Sequence, residues 1–125
     1  AEGTLIRFLA LNCKDASTVR EDVRKLKDIL YFCGLPAPRA LRGGLAVLRD
    51  GDLRDELAAL SLPLLMLFGE HDNIVPKATA ELLAPRHNVR VLADVSHVPF
   101  VSQPELFLLA LRQGWRELGI LAESA

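Results

Sequence analysis

Pro63-Leu64-Leu65-Met66-Leu67-Phe68-Gly69, followed at once by Glu70-His71-Asp72-Asn73-Ile74-Val75-Pro76, carries the decision about the fold. An unbroken run of large apolar side chains between a proline and a glycine is too short for a buried helix. It reads as a strand covered on both faces, as in parallel sheets. Residues 77–83 then read as a helix, Val89-Arg90-Val91-Leu92 as a second strand, and residues 93–103 as a loop leading into a last helix. Ser102 and Glu105 have capping-box spacing at that helix, with Pro104 tolerated in its first turn. Strand, helix, strand, helix makes a parallel βαβα unit with a right-handed crossover.

Upstream the periodicity is helical. Residues 4–14 are apolar on nearly every side, so that helix is expected to be covered on more than one face. Ser17 or Thr18 is the expected N-cap of a second helix, in which Val19, Val23, Leu26, Leu30 and Cys33 recur at three- and four-residue steps. Gly34, Pro36 and Pro38 break it. A third helix is expected over 39–48, closed by Gly51, and a short amphipathic turn over 53–60. The chain therefore divides at residue 51 into a helical part, 1–51, and an α/β part, 52–125.

Two strands cannot cover their own faces. Burying a large apolar side chain is worth about 1.5–3 kcal/mol, so leaving a strand's worth uncovered costs on the order of 10 kcal/mol. That rivals the roughly 5–15 kcal/mol that holds a whole domain together. Further strands are expected from outside these residues. The opening at Ala1 on helix-like sequence points the same way, towards a C-terminal portion of a larger protein.

With 125 residues, 50% of them hydrophobic, and a net charge of -1, the composition is that of one soluble globular domain. It lacks the basic excess of nucleic-acid or membrane-surface binders, and neither partner is expected. No run approaches the length of a membrane span, and residues 1–12 lack the features of a secretory signal. Cys13 and Cys33 are expected as buried free thiols.

In open α/β sheets functional residues gather at the carboxyl ends of the strands. Asp72 leaves the first strand and His97, in Ser96-His97-Val98-Pro99-Phe100, follows the second, so parallel pairing brings both to one rim. A carboxylate beside an imidazole holds its tautomer and stabilises the imidazolium formed when it takes a proton from a nucleophile. Acid before histidine, with the nucleophile upstream, is the order of α/β-hydrolases. Glu70 and His71 are the local rivals, and His87 is expected on the surface. No metal is expected, because the three histidines have no ligand spacing. Neither cysteine lies in G-x-S-x-G or its cysteine equivalent. Nor do Ser17, Ser61, Ser96, Ser102 and Ser124, so nucleophile and oxyanion hole are both missing from these residues.

Several segments occur in the order of one family: Arg7-Phe8-Leu9-Ala10-Leu11, Arg20-Glu21-Asp22-Val23-Arg24, Gly43-Gly44-Leu45 before Asp52-Leu53-Arg54, the Asp72 loop, and His97-Val98-Pro99-Phe100. Together they resemble the pimeloyl-acyl-carrier-protein methyl ester esterases of biotin synthesis, the BioH family, over essentially the whole chain. The Asp and His motifs are general to α/β-hydrolases; the R-F-L-A-L segment and the arginine helix narrow the likeness. The resemblance implies the C-terminal half of an α/β-hydrolase fold preceded by most of a helical cap. It implies a cytoplasmic serine carboxylesterase without cofactor, inactive in these residues alone, whose missing N-terminal half brings the serine. Asp72 and His97 would be its catalytic residues. Phe8, Leu9, Ala10, Leu11 and Asn12 would line the substrate site, with Asn12 where glutamine is expected. Arg7, Arg20 and Arg24 would grip the acidic acyl-carrier protein; read from the residues alone, the last two belong to a solvated charged face. Another α/β-hydrolase acting on small or acyl esters, and a non-catalytic binding module on half a hydrolase scaffold, are the alternatives.

Overall fold

The computed structural model describes residues 2–122; Ala1 and residues 123–125, Ser124 among them, lie outside the described residues. The elements run α1 (Glu2–Cys13), α2 (Val19–Cys33), α3 (Pro38–Asp50), α4 (Arg54–Ala59), β1 (Leu65–Gly69), α5 (Lys77–Leu83), β2 (Asn88–Leu92), α6 (Pro99–Ser102) and α7 (Pro104–Glu117). β1 and β2 pair in parallel from Leu65↔Asn88 to Gly69↔Leu92, so both strands end at the same rim. This is the βαβα unit that the periodicity predicts, with one short helix added in the last loop.

The added helix, α6, corrects the expected cap of α7. Ser102 closes α6, and its hydroxyl donates to the Val98 carbonyl at 3.1 Å. It is therefore spent one element early, and α7 starts from Gln103 with Pro104 in its first turn and no side-chain cap. Thr18 likewise occupies the N-cap position of α2 without capping it. Its hydroxyl donates instead to Oδ2 of Asp22 at 2.5 Å, a carboxylate only 1% exposed. Gly34 ends α2 with φ of 81°, a left-handed conformation that glycine adopts without a Cβ penalty.

Leu92, Val95 and Ala110 form the buried core, with Leu67, Leu106 and Phe107 packed against it. α7 thus covers the sheet face that carries Leu65 and Leu67, and the two-residue period turns Met66 and Phe68 to the other. Gly114 lets α7 approach closely, since a Cβ there would stand 2.5 Å from Cδ2 of Leu65. α1 packs along α2, and α2 reaches α6, which seats the helical part on the loop after β2. Among the described residues α1 is not covered on more than one face: it buries only Asn12 and Cys13 and leaves Phe8 49% exposed. α3 and α4 bury no residue. Both cysteines are free, but only Cys13 is buried; Cys33, on the outer turn of α2, is exposed. His87 is half-buried rather than on the open surface, because it sits against the start of β2 with its amide bonded to Leu83. No helix among the described residues is long and apolar enough to cross a membrane.

Candidate active site

The chain leaves β1 at Gly69 and turns sharply. Oδ1 of Asp72 accepts the backbone N–H groups of Ile74 and Val75, both at 2.8 Å. This is the local turn that aspartate makes two residues ahead of itself, and it fixes the carboxylate. Oδ2 is left for Nδ1 of His97, 2.8 Å away. The aspartate side chain is 6% exposed and the imidazole 34%, so the carboxylate lies behind the ring and the ring reaches the surface. An ionised carboxylate only accepts, so Nδ1 carries the proton and Nε2 keeps its lone pair. Such a ring can take a proton from a hydroxyl and return it to a leaving group.

The two loops are joined by backbone as well. Glu70 N–H donates to Leu92 O and His71 N–H to Val95 O, both at 2.9 Å. Gly69 is what allows this approach: a Cβ at that position would lie 2.0 Å from Ser96 O and 2.6 Å from Val95 O. Among the described residues neither Glu70 nor His71 is hydrogen-bonded to the His97 ring. The Glu70 carboxylate accepts the Asp94 amide at 3.0 Å. His71 Nε2 stands 3.7 Å from Glu70 and 3.9 Å from Asp94, beyond hydrogen-bond reach of either. Burial and the nearby Asp22 push the Cys13 thiol up to about 11, so it stays protonated and unreactive at neutral pH.

Two acid and histidine loops crossing at the carboxyl ends of parallel strands suit one fold family, and residues 6–110 match the model of the alpha/beta hydrolase family. The chain belongs to it. Curated relatives include the pimeloyl-[acyl-carrier protein] methyl ester esterases of Serratia marcescens and Aeromonas salmonicida. The first is 41% identical over 108 residues, spanning 84% of this chain and 42% of that protein. The second is 44% identical over 115 residues, spanning 87% and 44%. The chain thus spans less than half the length of these relatives. A thermophilic esterase from Thermogutta terrifontis, solved with malate bound, superposes with a TM-score of 0.72 at 28% identity over 93% of this chain and 44% of that one.

Around the pair, the chain presents the α1 segment unevenly. Phe8, Ala10 and Leu11 are exposed, Leu9 is half-buried and Asn12 is buried. Asn12 Nδ2 donates to its own helix at Phe8 O, 2.6 Å away, while its backbone carbonyl accepts the His97 amide at 3.0 Å. The side-chain amide is therefore turned onto α1 rather than towards a ligand. Arg7, Arg20 and Arg24 are all exposed. None of the three has an ion-pair partner among the described residues, whereas neighbouring Lys25 pairs with Glu21 at 2.9 Å. A wide groove between α4, α5 and the start of β2, lined by Leu57, Leu60, Leu62, Leu64 and Leu82, lies at the opposite end of the strands and contains neither Asp72 nor His97. The sequence offers Ser17 only as a cap and does not mark Asn73 or Asp94, yet Ser17 in the α1–α2 corner bonds to Asp94, and Asn73 reaches Asp15 in the same corner. Nothing in local spacing marks them, because their partners lie up to 77 residues away.

Proposed function

We propose that these residues are the C-terminal part of a cytoplasmic serine carboxylesterase that hydrolyses the methyl ester of pimeloyl-acyl-carrier protein in biotin biosynthesis. The observation that carries the reading is the 2.8 Å contact between Asp72 Oδ2 and His97 Nδ1 at the common rim of two parallel strands. Similarity to esterases of that name over more than four-fifths of the chain supports the substrate.

In this reading a serine from the upstream half attacks the ester carbonyl. His97 takes its proton and then delivers it to the departing methoxide, releasing methanol; a water molecule, deprotonated by the same imidazole, cleaves the acyl-enzyme. Asp72 keeps His97 in the Nδ1–H tautomer. Residues 1–51 form most of the cap over the acyl chain, with Phe8, Leu9, Ala10 and Leu11 towards the substrate and Asn12 contributing through the backbone carbonyl that accepts the His97 amide. The exposed Arg7, Arg20 and Arg24 supply the positive charge an acidic carrier protein requires. The exposed apolar side chains of Leu53, Leu62 and Leu82 suit a core completed by the upstream half, which also brings nucleophile and oxyanion hole.

The test is methanol release from the carrier-protein ester. The protein carrying its upstream residues is expected to turn over, and His97→Ala to lower kcat about 10⁴-fold or more. His97-dependent turnover by these 125 residues alone would overturn the reading. A second reading, an esterase of small esters, draws on the similarity to the Thermogutta terrifontis esterase. Charge reversal at Arg7, Arg20 and Arg24 separates the two: a rate on carrier-protein ester that does not change favours the small-ester enzyme.

A further inference from the structure

The corner between α1 and α2, residues 14–18, is tied to both loops of the candidate site by side chains that no catalytic role requires. On one side, Asn73, next to Asp72, donates from Nδ2 to Asp15 Oδ2 at 3.0 Å and to Lys14 O at 3.4 Å. The same amide also donates to His71 O at 2.9 Å, which pins it to its own loop. On the other side, Asp94, three residues before His97, accepts the Ser17 hydroxyl on Oδ2 and the Ser17 amide on Oδ1, the latter at 3.3 Å. The His97 amide itself donates to Asn12 O in the last turn of α1 at 3.0 Å.

Two further observations set these bonds apart from ordinary surface decoration. Asp15 and Asp94, with φ of 69° and 52°, are the non-glycine residues in left-handed conformation among the described residues. Each belongs to one of the two ties. Aspartate is one of the few L-residues that enters that region at modest cost, so the two positions mark tight turns at the points where the ties are made. The residues flanking the ties are also among the most buried in the chain: Cys13, Val95 and Ser96 are 0% exposed and Ala16 is 5%. The helical part and the α/β part therefore meet tightly at this corner, against the loop that carries the histidine.

We propose that Asp94 is a positioning residue for His97. Through Ser17 it locks the α1–α2 corner to the histidine loop, while Asn73 locks the same corner to the aspartate loop. Displacement of the two helices is thereby transmitted to the Asp72–His97 pair, and engagement of substrate beneath the helices sets the imidazole for proton transfer. This rests on the esterase reading for its effect on rate, but its structural consequence is measurable without any substrate.

The experiment compares Asp94→Gly, Asp94→Asn, Ser17→Ala and the double variant Ser17→Ala/Asp94→Gly in the full-length protein. Glycine removes the carboxylate while favouring the left-handed backbone, and asparagine keeps an acceptor for the Ser17 amide. Hydrogen exchange read by NMR is expected to speed up about 10-fold at the His97 amide in Asp94→Gly and in Ser17→Ala. The double variant should be no worse than Asp94→Gly, as for two ends of one interaction. On a nitrophenyl ester, Asp94→Gly is expected to lower kcat about 10-fold with KM within about twofold, and to move the acid limb of the pH–rate profile. Asp94→Asn should recover to within about threefold of the parent in both measurements. Unchanged His97 exchange in Asp94→Gly and Ser17→Ala, or strictly additive effects in the double variant, overturns the proposal, even where the melting temperature falls. A parent protein that hydrolyses no ester sinks the esterase reading alone; the exchange data still decide the lock.

Discussion

At the carboxyl ends of β1 and β2, Val95 and Ser96 are fully buried and the Asp72 carboxylate has each of its oxygens assigned to a named donor. Across α3 and α4 no residue is buried, and Leu45, Val47, Leu48 and Leu53 stand between 65% and 79% exposed. The first region is held by directional bonds between loops far apart in sequence. The second is held by its own helical hydrogen bonds and by ion pairs between near neighbours, Arg49 with Asp50 and Arg54 with Asp52. Directional bonds define a geometry without outside help, whereas an apolar stripe defines only that something must cover it. The contrast predicts that substitutions at the rim are costly within these residues, and that substitutions on α3 are costly only where the stripe is covered.

The largest effect is expected at Asp72→Asn in the full-length protein, assayed as the proposed esterase. Asparagine's Oδ1 can still accept the Ile74 and Val75 amides, so the turn survives, but its NH₂ group would face His97 Nδ1 and force the other tautomer. Steady-state assays should show kcat reduced about 10⁴-fold. A melting temperature close to that of the parent would assign the loss to chemistry rather than folding. Next is Gly69→Ala, whose Cβ meets the backbone oxygens of Ser96 and Val95. Backbone cannot swing aside as a side chain does, and urea denaturation is expected to show a loss of about 2–4 kcal/mol. A neutral result there would mean that the two loops are not packed as tightly as their hydrogen bonds indicate.

Smaller effects belong to the other region. Hydrogen bonds from the Arg54 guanidinium and backbone amide, together with the guanidinium charge, hold the Asp52 carboxyl down at about 2. A folded pKa below the unfolded value stabilises the folded state above the unfolded pKa and loses that contribution as pH falls through the folded one. Asp52→Asn should therefore lower the melting temperature slightly and equally at every pH above about 4, with the difference closing as pH drops towards 2. The least effect is expected at Leu48→Ser, within about 0.5 kcal/mol in the 125 residues by themselves. A cost of several kcal/mol at Leu48 in a longer protein would locate the missing cover on α3.

Much of this architecture was legible in the chain. The apolar run 64–68 and the segment Val89-Arg90-Val91-Leu92 carry β1 and β2, and the stripe from Val19 to Cys33 forms α2. Each depends on a local signal, the length and flanks of a short apolar run or a 3.6-residue period. Asp72 and His97 could be assigned to one rim because parallel pairing leaves no other arrangement. The caps were read less well. Thr18 and Ser102 have the right chemistry in the right places, but each hydroxyl found a nearer acceptor, Asp22 and Val98. A capping signal states only that an oxygen is available. Competing partners are decided by where neighbouring elements come to rest.

From the sequence alone come the two parallel strands, the helices flanking them, the placement of an acid and a histidine at a shared edge, and the absence of a nucleophile motif. All of these follow from composition and spacing along the chain. Folding alone decides that Asp72, not Glu70, meets His97, that Gly69 is the point where the loops cross, and that Ser17 and Asp94 join the helical part to the site. Those outcomes depend on distances of a few ångströms between residues tens of positions apart, and short-range pattern carries no measure of such distances.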